Sequence, residues 1–266
     1  MRPQILCILF IANNVRPEYP LIVAANRDEF FARPSRAAHF WEDIPDILAG
    51  RDEQAGGSWL GVNCQGQFAA VTNFRMPSKH SNDARSRGDL VAGFLAADQQ
   101  QKFVQNLDSS YTEYNPFNLV TGDSNNLTVF SSEAPGFKKL KAGCHPISNG
   151  LPDDHWPKMS RGTAALRAYL KHAPEVDASY LAGLLRDSTR APINELPNTG
   201  IGNESEHALS SIFIDTLDFG AGEYGTRTST VLLFNHKEIR FHEYNYQAGG
   251  VLIGQQEFRL TLETDA

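Results

Sequence analysis

The chain opens on two nearly unbroken apolar runs, "ILCILFIA" and "PLIVAAN", with the polar "NNVRPEYP" between them. Short apolar runs bounded by turn residues predict buried strands, the first beginning near Ile5. "GSWLGVNCQGQFAAVTNF" alternates apolar and polar positions on either side of Cys64-Gln65-Gly66 and predicts a hairpin that turns there. In "RGDLVAGFLAADQQQKFVQNL" the period changes, with Leu90, Val91, Phe94 and Leu95 at helical spacing. "NPFNLVTGD" and "NLTVFSS" return to strand patterning around a polar Asp-Ser-Asn-Asn turn. "PKMSRGTAALRAYLKHA" predicts a second helix with Pro157 in its first turn, and "SYLAGLLRD" a third.

From Ser188 to Leu209 the chain has no periodicity and carries Pro and Gly, so it predicts a long loop, a length usually kept for function. "SSIFID", "YGTRTSTVLLFN", "EIRFHEYNY" and "EFRLTL" then read as closing strands. Strands, helices in the middle, and strands again give an α+β class, two layered sheets with helices outside. No internal repeat interrupts the order, and residues 1–266 are read as a single domain.

Composition narrows the function classes. A hydrophobic content of 41% over 266 residues is enough for a real core. The net charge of −7 argues against a nucleic-acid partner, since no Lys/Arg block is present to neutralise phosphates. The nearest basic run, "GFKKLK", reads as a solvated strand end. Three cysteines (Cys7, Cys64 and Cys144) without a C-x-x-C pair fit a reducing compartment and exclude a cysteine zinc site. The N-terminal "MRPQILCILFIANN" has too short an apolar stretch, and no suitable cleavage site, for a secretory signal. No segment approaches the ~18 apolar residues of a membrane span. The expectation is a cytoplasmic protein.

The general motif set is silent: there is no H-E-x-x-H, P-loop or G-x-G-x-x-G, and the eight histidines are scattered. Cys7 reads from spacing alone as a buried structural thiol, with a nucleophile at a strand start as the alternative. Trp59 and Phe68 read as hairpin core, and Asp52-Glu53 as solvated loop carboxylates. The unusual stretch is "AANRDEFFARP", where Arg27, Asp28 and Glu29 follow an apolar run directly. A strand that ends this way carries its charges to a sheet edge or into a cleft.

These residues carry a resemblance. "ANRDEF", "RPSRAAHFW", "GGSWLGV" with "AAVTNF", "SRGDLV", "YNPFNL", "SNG" and "YGTRTSTVLL" resemble, in order, the NRDE-domain family, the relatives of the Transport and Golgi organization 2 protein. The match runs from Cys7 to about Glu243. It implies an N-terminal nucleophile (Ntn) hydrolase-like fold, a four-layer αββα sandwich of two stacked antiparallel sheets. Within that superfamily the chain is similar to the choloylglycine hydrolases and penicillin V acylases. Their cysteine nucleophile falls on Cys7, an oxyanion-binding asparagine on Asn73 of "GQFAAVTNF", and a second polar group on Asn149 of "SNGLP". Their arginine and aspartate fall near Arg27 and Asp28, although two residues separate that pair in those enzymes and here they are adjacent. Arg227 belongs to the NRDE pattern alone. Glu243 follows the last long strand as that pattern expects, with Tyr244 where an arginine is expected.

The resemblance implies two functions. As a cysteine amidohydrolase acting on a small acyl amide, the protein would use Cys7 as nucleophile and its α-amino group, with a free pKa of about 7.7–8.0, as base. Asn73 and Asn149 would bind the oxyanion, one such donor being worth about 3–4 kcal/mol of barrier. Arg27 would lower the thiol pKa and Asp28 would orient the amine. Six residues precede Cys7, so its nitrogen is a peptide nitrogen unless the Leu6–Cys7 bond is cut or translation starts elsewhere. The other function, and the leading expectation, is haem trafficking: haem held as a carried ligand and passed to haem-receiving proteins. Asn26, Arg27, Asp28 and Arg227 are then the ligand-binding candidates, the arginines pairing with propionates. No C-x-x-C-H attachment site is present, "CHP" at 144–146 is not a haem-regulatory dipeptide, and no metal ligand set is expected. His39 in "AHFW" and His80 are the candidate iron ligands, with ordinary packing as the competing reading of each.

Overall fold

The computed structural model describes residues 6–262. In chain order it runs β1 (Leu6–Arg16), β2 (Tyr19–Phe30), β3 (Ser35–Phe40), β4 (Ile47–Asp52), β5 (Leu60–Asn63) and β6 (Phe68–Asn73). Two helices follow, α1 (Gly88–Leu95) and α2 (Gln100–Ser110), then β7 (Phe117–Gly122), β8 (Leu127–Ser131), β9 (Ala134–Lys139) and β10 (Gly143–Ile147). Next come α3 (Pro157–His172), α4 (Ala178–Leu184) and α5 (Asn203–Ala208). The chain closes with β11 (Leu217–Asp218), β12 (Glu223–Phe234), β13 (Glu238–Gln247) and β14 (Val251–Thr261).

The strands form two antiparallel sheets, ordered β10-β1-β2-β12-β13-β14 with β11 beside β12, and β3-β4-β5-β6-β7-β8-β9. Alternation along β1 explains the layers. Leu9 and Ile11 face the second sheet, meeting Val62, Phe68 and Val120 in the central core. Ile8 and Phe10 point the other way, onto Met159, Leu166 and Leu170 of α3 and Leu181 of α4. On the far side of the second sheet, Ala69 and Val71 receive Leu90, Val91 and Phe94 of α1. Both faces of each central strand are therefore covered, which is why β1 and β2 read as continuous apolar runs rather than as alternating ones. The result is an α+β, four-layer αββα sandwich.

Five readings of the pattern are corrected. The second strand does not end at Asn26: β2 continues to Phe30, so the charges of "NRDE" lie inside a paired strand. The apolar periodicity after Arg87 is broken at Ala96–Gln99, giving two helices; Leu90, Val91, Phe94 and Leu95 are the buried face of α1 alone. "SSIFID" is irregular chain, because its backbone groups bond elsewhere: Ile212 and Phe213 donate to the Asp187 carbonyl, and Ile212 accepts from Asn26. The 188–209 loop contains the short helix α5, and Glu243 lies within β13 rather than after it. The "GFKKLK" reading stands, with Lys138 and Lys139 exposed at the end of β9.

Candidate functional site

A cleft of about 750 Å³ opens between the two sheets, with Cys7, Arg27, Asn73, Arg87, Arg227 and Thr228 among its lining residues. The register places Cys7 of β1 directly opposite Arg27 of β2, and Arg27 opposite Thr228 of β12. Residues opposite each other in an antiparallel pair project from the same face. Between Thr226 and Thr228 the β2–β12 register shifts, so Arg227 is the extra residue of a bulge. The bulge turns Arg227 and Thr228 toward the cleft while Thr226 still faces the helices.

The period of two divides the "NRDE" stretch by function. Arg27 and Glu29 point into the cleft. The Arg27 guanidinium lies 3.5 Å from Glu29 Oε2 and 4.0 Å from Asp52 Oδ2, and Arg33 donates to the same Asp52 oxygen at 2.7 Å. Asn26 and Asp28 point the opposite way. Asn26 Nδ2 donates to the carbonyls of Leu185 and Ile212, both at 2.9 Å, and its Oδ1 accepts from Ser229 Oγ at 2.6 Å. It pins two irregular segments to the sheet. Asp28 Oδ1 accepts from Thr226 Oγ1 at 2.6 Å, and Thr226 Oγ1 in turn accepts the Ile214 N–H at 2.9 Å. Arg227 clamps the chain after β2 by donating to the Phe30 carbonyl at 3.3 Å and to the Arg33 carbonyl.

Cys7 sits 3% exposed at the cleft floor. Burial pushes its thiol up to about 12, and the Asp28 carboxylate adds to the rise; the Arg27 charge and the Asp28 N–H oppose it. The two asparagines divide. Asn73 lines the cleft, whereas Asn149 is fully enclosed behind it. Asn149 Nδ2 donates to the Asn73 carbonyl at 2.9 Å, and its Oδ1 accepts from Ser148 Oγ at 3.1 Å. That serine hydroxyl also reaches the Cys7 carbonyl at 3.1 Å, tying the corner to β1.

Lys158 escaped the sequence reading, and Glu243 and Arg87 entered it only as parts of the family pattern. Lys158, in the first turn of α3, is buried among charges, its Nζ donating to the Leu209 carbonyl at 3.3 Å. Burial pulls its pKa down and raises that of Asp28, and each group's charge partly offsets the other's shift. Nothing in "PKMS" marks this lysine, since a helical lysine ordinarily faces solvent. Glu243 accepts from the Ala38 N–H at 2.7 Å and from Asn245 at 2.9 Å, joining β13 to β3. Arg87 was visible only as a member of "SRGDLV"; it is half-buried in the cleft wall. Of the histidines, His80 lines the cleft, while the His39 ring engages the Ala37 carbonyl at 2.8 Å and is not part of the lining.

The electrostatics of the cleft oppose those of the molecule. Seven arginines and three carboxylates line it, so a chain of net charge −7 presents a positive cleft, suited to an anion. Among the described residues no cluster of three or more His, Cys, Asp and Glu is placed to hold a metal ion. No helix among them is long and apolar enough to cross a membrane.

Comparison with known proteins agrees with this architecture. The chain is 10% identical to a mutant conjugated bile acid hydrolase from Clostridium perfringens, with a TM-score of 0.51 over 97% of both chains. That likeness shows the fold, the Ntn hydrolase-like sandwich. The mouse Transport and Golgi organization 2 homolog is 30% identical over 244 residues, covering 86% of this chain and 88% of the mouse protein. The human homolog is 31% identical over 245 residues, with coverage of 86% and 88%. Residues 6–248 match the family model described as Transport and Golgi organisation 2, and the chain belongs to that family.

Proposed function

We propose that the protein is a haem carrier of the cytoplasm, which holds its cargo in the cleft between the sheets and passes it to haem-receiving proteins. The observation that carries this reading is the excess of guanidinium groups lining the cleft of an acidic chain. Haem presents two propionates and a broad apolar ring. Arginines suit the first, and Phe30, Trp59, Val71, Tyr246 and Ile253 offer the second an apolar wall. Cys7, His80 and Tyr246 are lining residues of the types that ligate a haem iron. Titrating the chain with haem, followed by Soret absorbance, tests the reading. One-to-one saturable binding, weakened by Arg27→Gln and only partly by His80→Ala, is expected; failure to saturate rejects it.

A second reading is an Ntn-type amidohydrolase, supported by the shared exposure of Cys7, Arg27 and Asn73 to one cleft. In the uncut chain the Cys7 nitrogen is a peptide nitrogen and the thiol is held protonated up to about 12, so neither base nor thiolate is available near neutrality. Two forms decide, one starting at Met1 and one with Cys7 exposed by methionine removal, each assayed against acylated amino acids. Turnover by the trimmed form alone, with no saturable haem binding by either, replaces the carrier with the enzyme.

A further inference from the structure

The arginines of the cleft are not equivalent. Arg27 and Arg33 are engaged with Glu29 and Asp52, Arg36 with Glu42, Arg51 with Asp43, and Arg85 with Glu113. Arg227 is spent on backbone carbonyls. Arg87 differs. Among the described residues no carboxylate oxygen lies within 4.0 Å of it, and its Nη1 donates to the Pro116 carbonyl at 3.3 Å. That bond uses Nη1; the Nε–Nη2 edge of the same guanidinium is one that offers two parallel N–H groups at carboxylate spacing, and Arg87 lines the cleft.

The fold holds Arg87 in place by an unusual contact. A Cβ on Gly57 would lie 2.4 Å from the Gly88 carbonyl carbon, and Ser58 N–H donates to the Gly88 carbonyl at 3.2 Å. Two motifs that no catalytic role explains, "GGSWLGV" and "SRGDLV", meet backbone to backbone at this point, immediately beside Arg87. Burial pulls the Arg87 guanidinium down to about 10, still charged at neutral pH; the Glu29 carboxylate opposes that fall and the Arg33 charge adds to it.

We propose that Arg87 is the carboxylate anchor of the cleft, its Nε–Nη2 edge taking a ligand carboxylate bidentately beside the Cys7 thiol. The inference rests on the reading of the cleft as an anion site, and the anchor does not require that the anion be haem. It gives the ligand a direction: carboxylate toward the "SRGDLV" turn, and its apolar part toward Tyr246 and Ile253 at the other wall.

Sodium propionate is the probe, with propionamide as its neutral counterpart and sodium chloride balancing ionic strength. Propionate is expected to raise the melting temperature of the full chain saturably, and propionamide is not. Arg87→Gln should abolish the shift and Arg87→Lys should keep part of it. Arg240→Gln, which removes a charge outside the cleft, should leave it whole. A second measurement reads the site without melting: the ratio of iodoacetate to iodoacetamide alkylation at Cys7, by peptide mapping. Arg87→Gln should lower that ratio about fivefold or more. A propionate shift no larger than that of propionamide, or one that survives Arg87→Gln, overturns the anchor. Haem titration of the same variants keeps the two readings apart: a propionate site without haem binding removes the cargo and leaves the anchor.

Discussion

The side-chain amide of Asn149 donates to the backbone carbonyl of Asn73 across 2.9 Å, inside a corner that water does not reach. The two residues implied to work together on an oxyanion sit differently here: Asn73 lines the cleft, and the Asn149 amide is bonded to the Asn73 backbone behind it. Asn149→Ala is expected to cost about 1–3 kcal/mol, because it removes the buried hydrogen bond to the Asn73 carbonyl and one of the two partners of the Ser148 hydroxyl. Asn73→Ala should instead weaken haem binding with a smaller loss of stability. Urea unfolding and haem titration of both variants check this; an Asn149→Ala protein of full stability that no longer binds would reverse the assignment.

Arg75 and Glu206 form an ion pair whose side chains are each 2% exposed. Glu206 also accepts the N–H of Thr199 at 2.9 Å, and the Arg75 guanidinium lies 5.0 Å from the Trp156 ring centroid. Breaking one partner of a buried pair leaves an uncompensated charge, so Glu206→Gln should cost about 3–5 kcal/mol. Arg75→Met/Glu206→Gln together should recover part of it. Because Glu206 anchors α5, the single variant should also be nicked faster by protease between residues 188 and 209. Equal stability of the single and double variants would refute a coupled pair.

What could be read in advance follows from what the chain hides on each face. β1 and β2 were legible because both of their faces are covered by apolar layers. Their continuation through Arg27, Asp28 and Glu29 was not, since charge in a strand normally marks its end. Here Arg27 and Asp28 have partners supplied from distant sequence (Asp52 for the first, Thr226 and Lys158 for the second), while Glu29 is held locally by Arg27 and Arg33. "SSIFID" failed for the opposite reason: its apolar side chains are buried, but its backbone is bonded by Asn26 and Asp187 instead of a neighbouring strand. Family resemblance, not spacing, grouped Cys7, Asn73 and Asn149 with Arg27 and Asp28; of these, Cys7, Arg27 and Asn73 line the cleft, and Asn149 and Asp28 do not. Arg87 and Lys158 depend on which charges surround them in space, and spacing along the chain is blind to that.

Asp28 gives the protein a pH signature of definite sign. Its carboxyl holds a proton up to about 6 in the folded chain against an ordinary 3.8, chiefly because it is buried. The folded state therefore binds more protons across that interval, and this group's stabilisation is full at lower pH and drains as pH rises toward 6. Asp28→Asn removes the effect. The variant should gain stability relative to the parent between pH 4 and pH 6, measured by urea unfolding at each pH. A variant that instead loses ground over this range would mean that the Lys158 charge outweighs burial.

The Cys7 thiol should behave as a buried group under partial electrostatic relief. With its pKa pushed up to about 12, alkylation at Cys7 should rise about tenfold per pH unit from 7 to 10 without a plateau. Arg27→Gln removes a charge that lowers the thiol pKa, so the variant should react more slowly at every pH in that range. Peptide mapping after timed iodoacetamide treatment resolves Cys7 from Cys64 and Cys144. A plateau near pH 8 would contradict the burial argument.

Gly57 and Gly88 set the position of the cleft wall, and their contact makes the last prediction specific. Gly57 is not in the left-handed region, so glycine is required there by space rather than by backbone angle. Its added Cβ would meet backbone atoms of Gly88 at 2.4 to 2.8 Å, which no side-chain rotation relieves. The turn carrying Ser58 and the start of α1 must then separate, at a cost of about 1–3 kcal/mol typical of overpacking. Separation withdraws Arg87 from the thiol, so Gly57→Ala should lose propionate-dependent stabilisation as well as melting temperature. Gly56→Ala is the comparison: nothing lies within 4 Å of its Cβ, and its φ of +80° makes the cost one of backbone strain. That variant should lower stability while leaving the propionate response intact. If both glycine variants keep the response, the contact between the two motifs does not position Arg87.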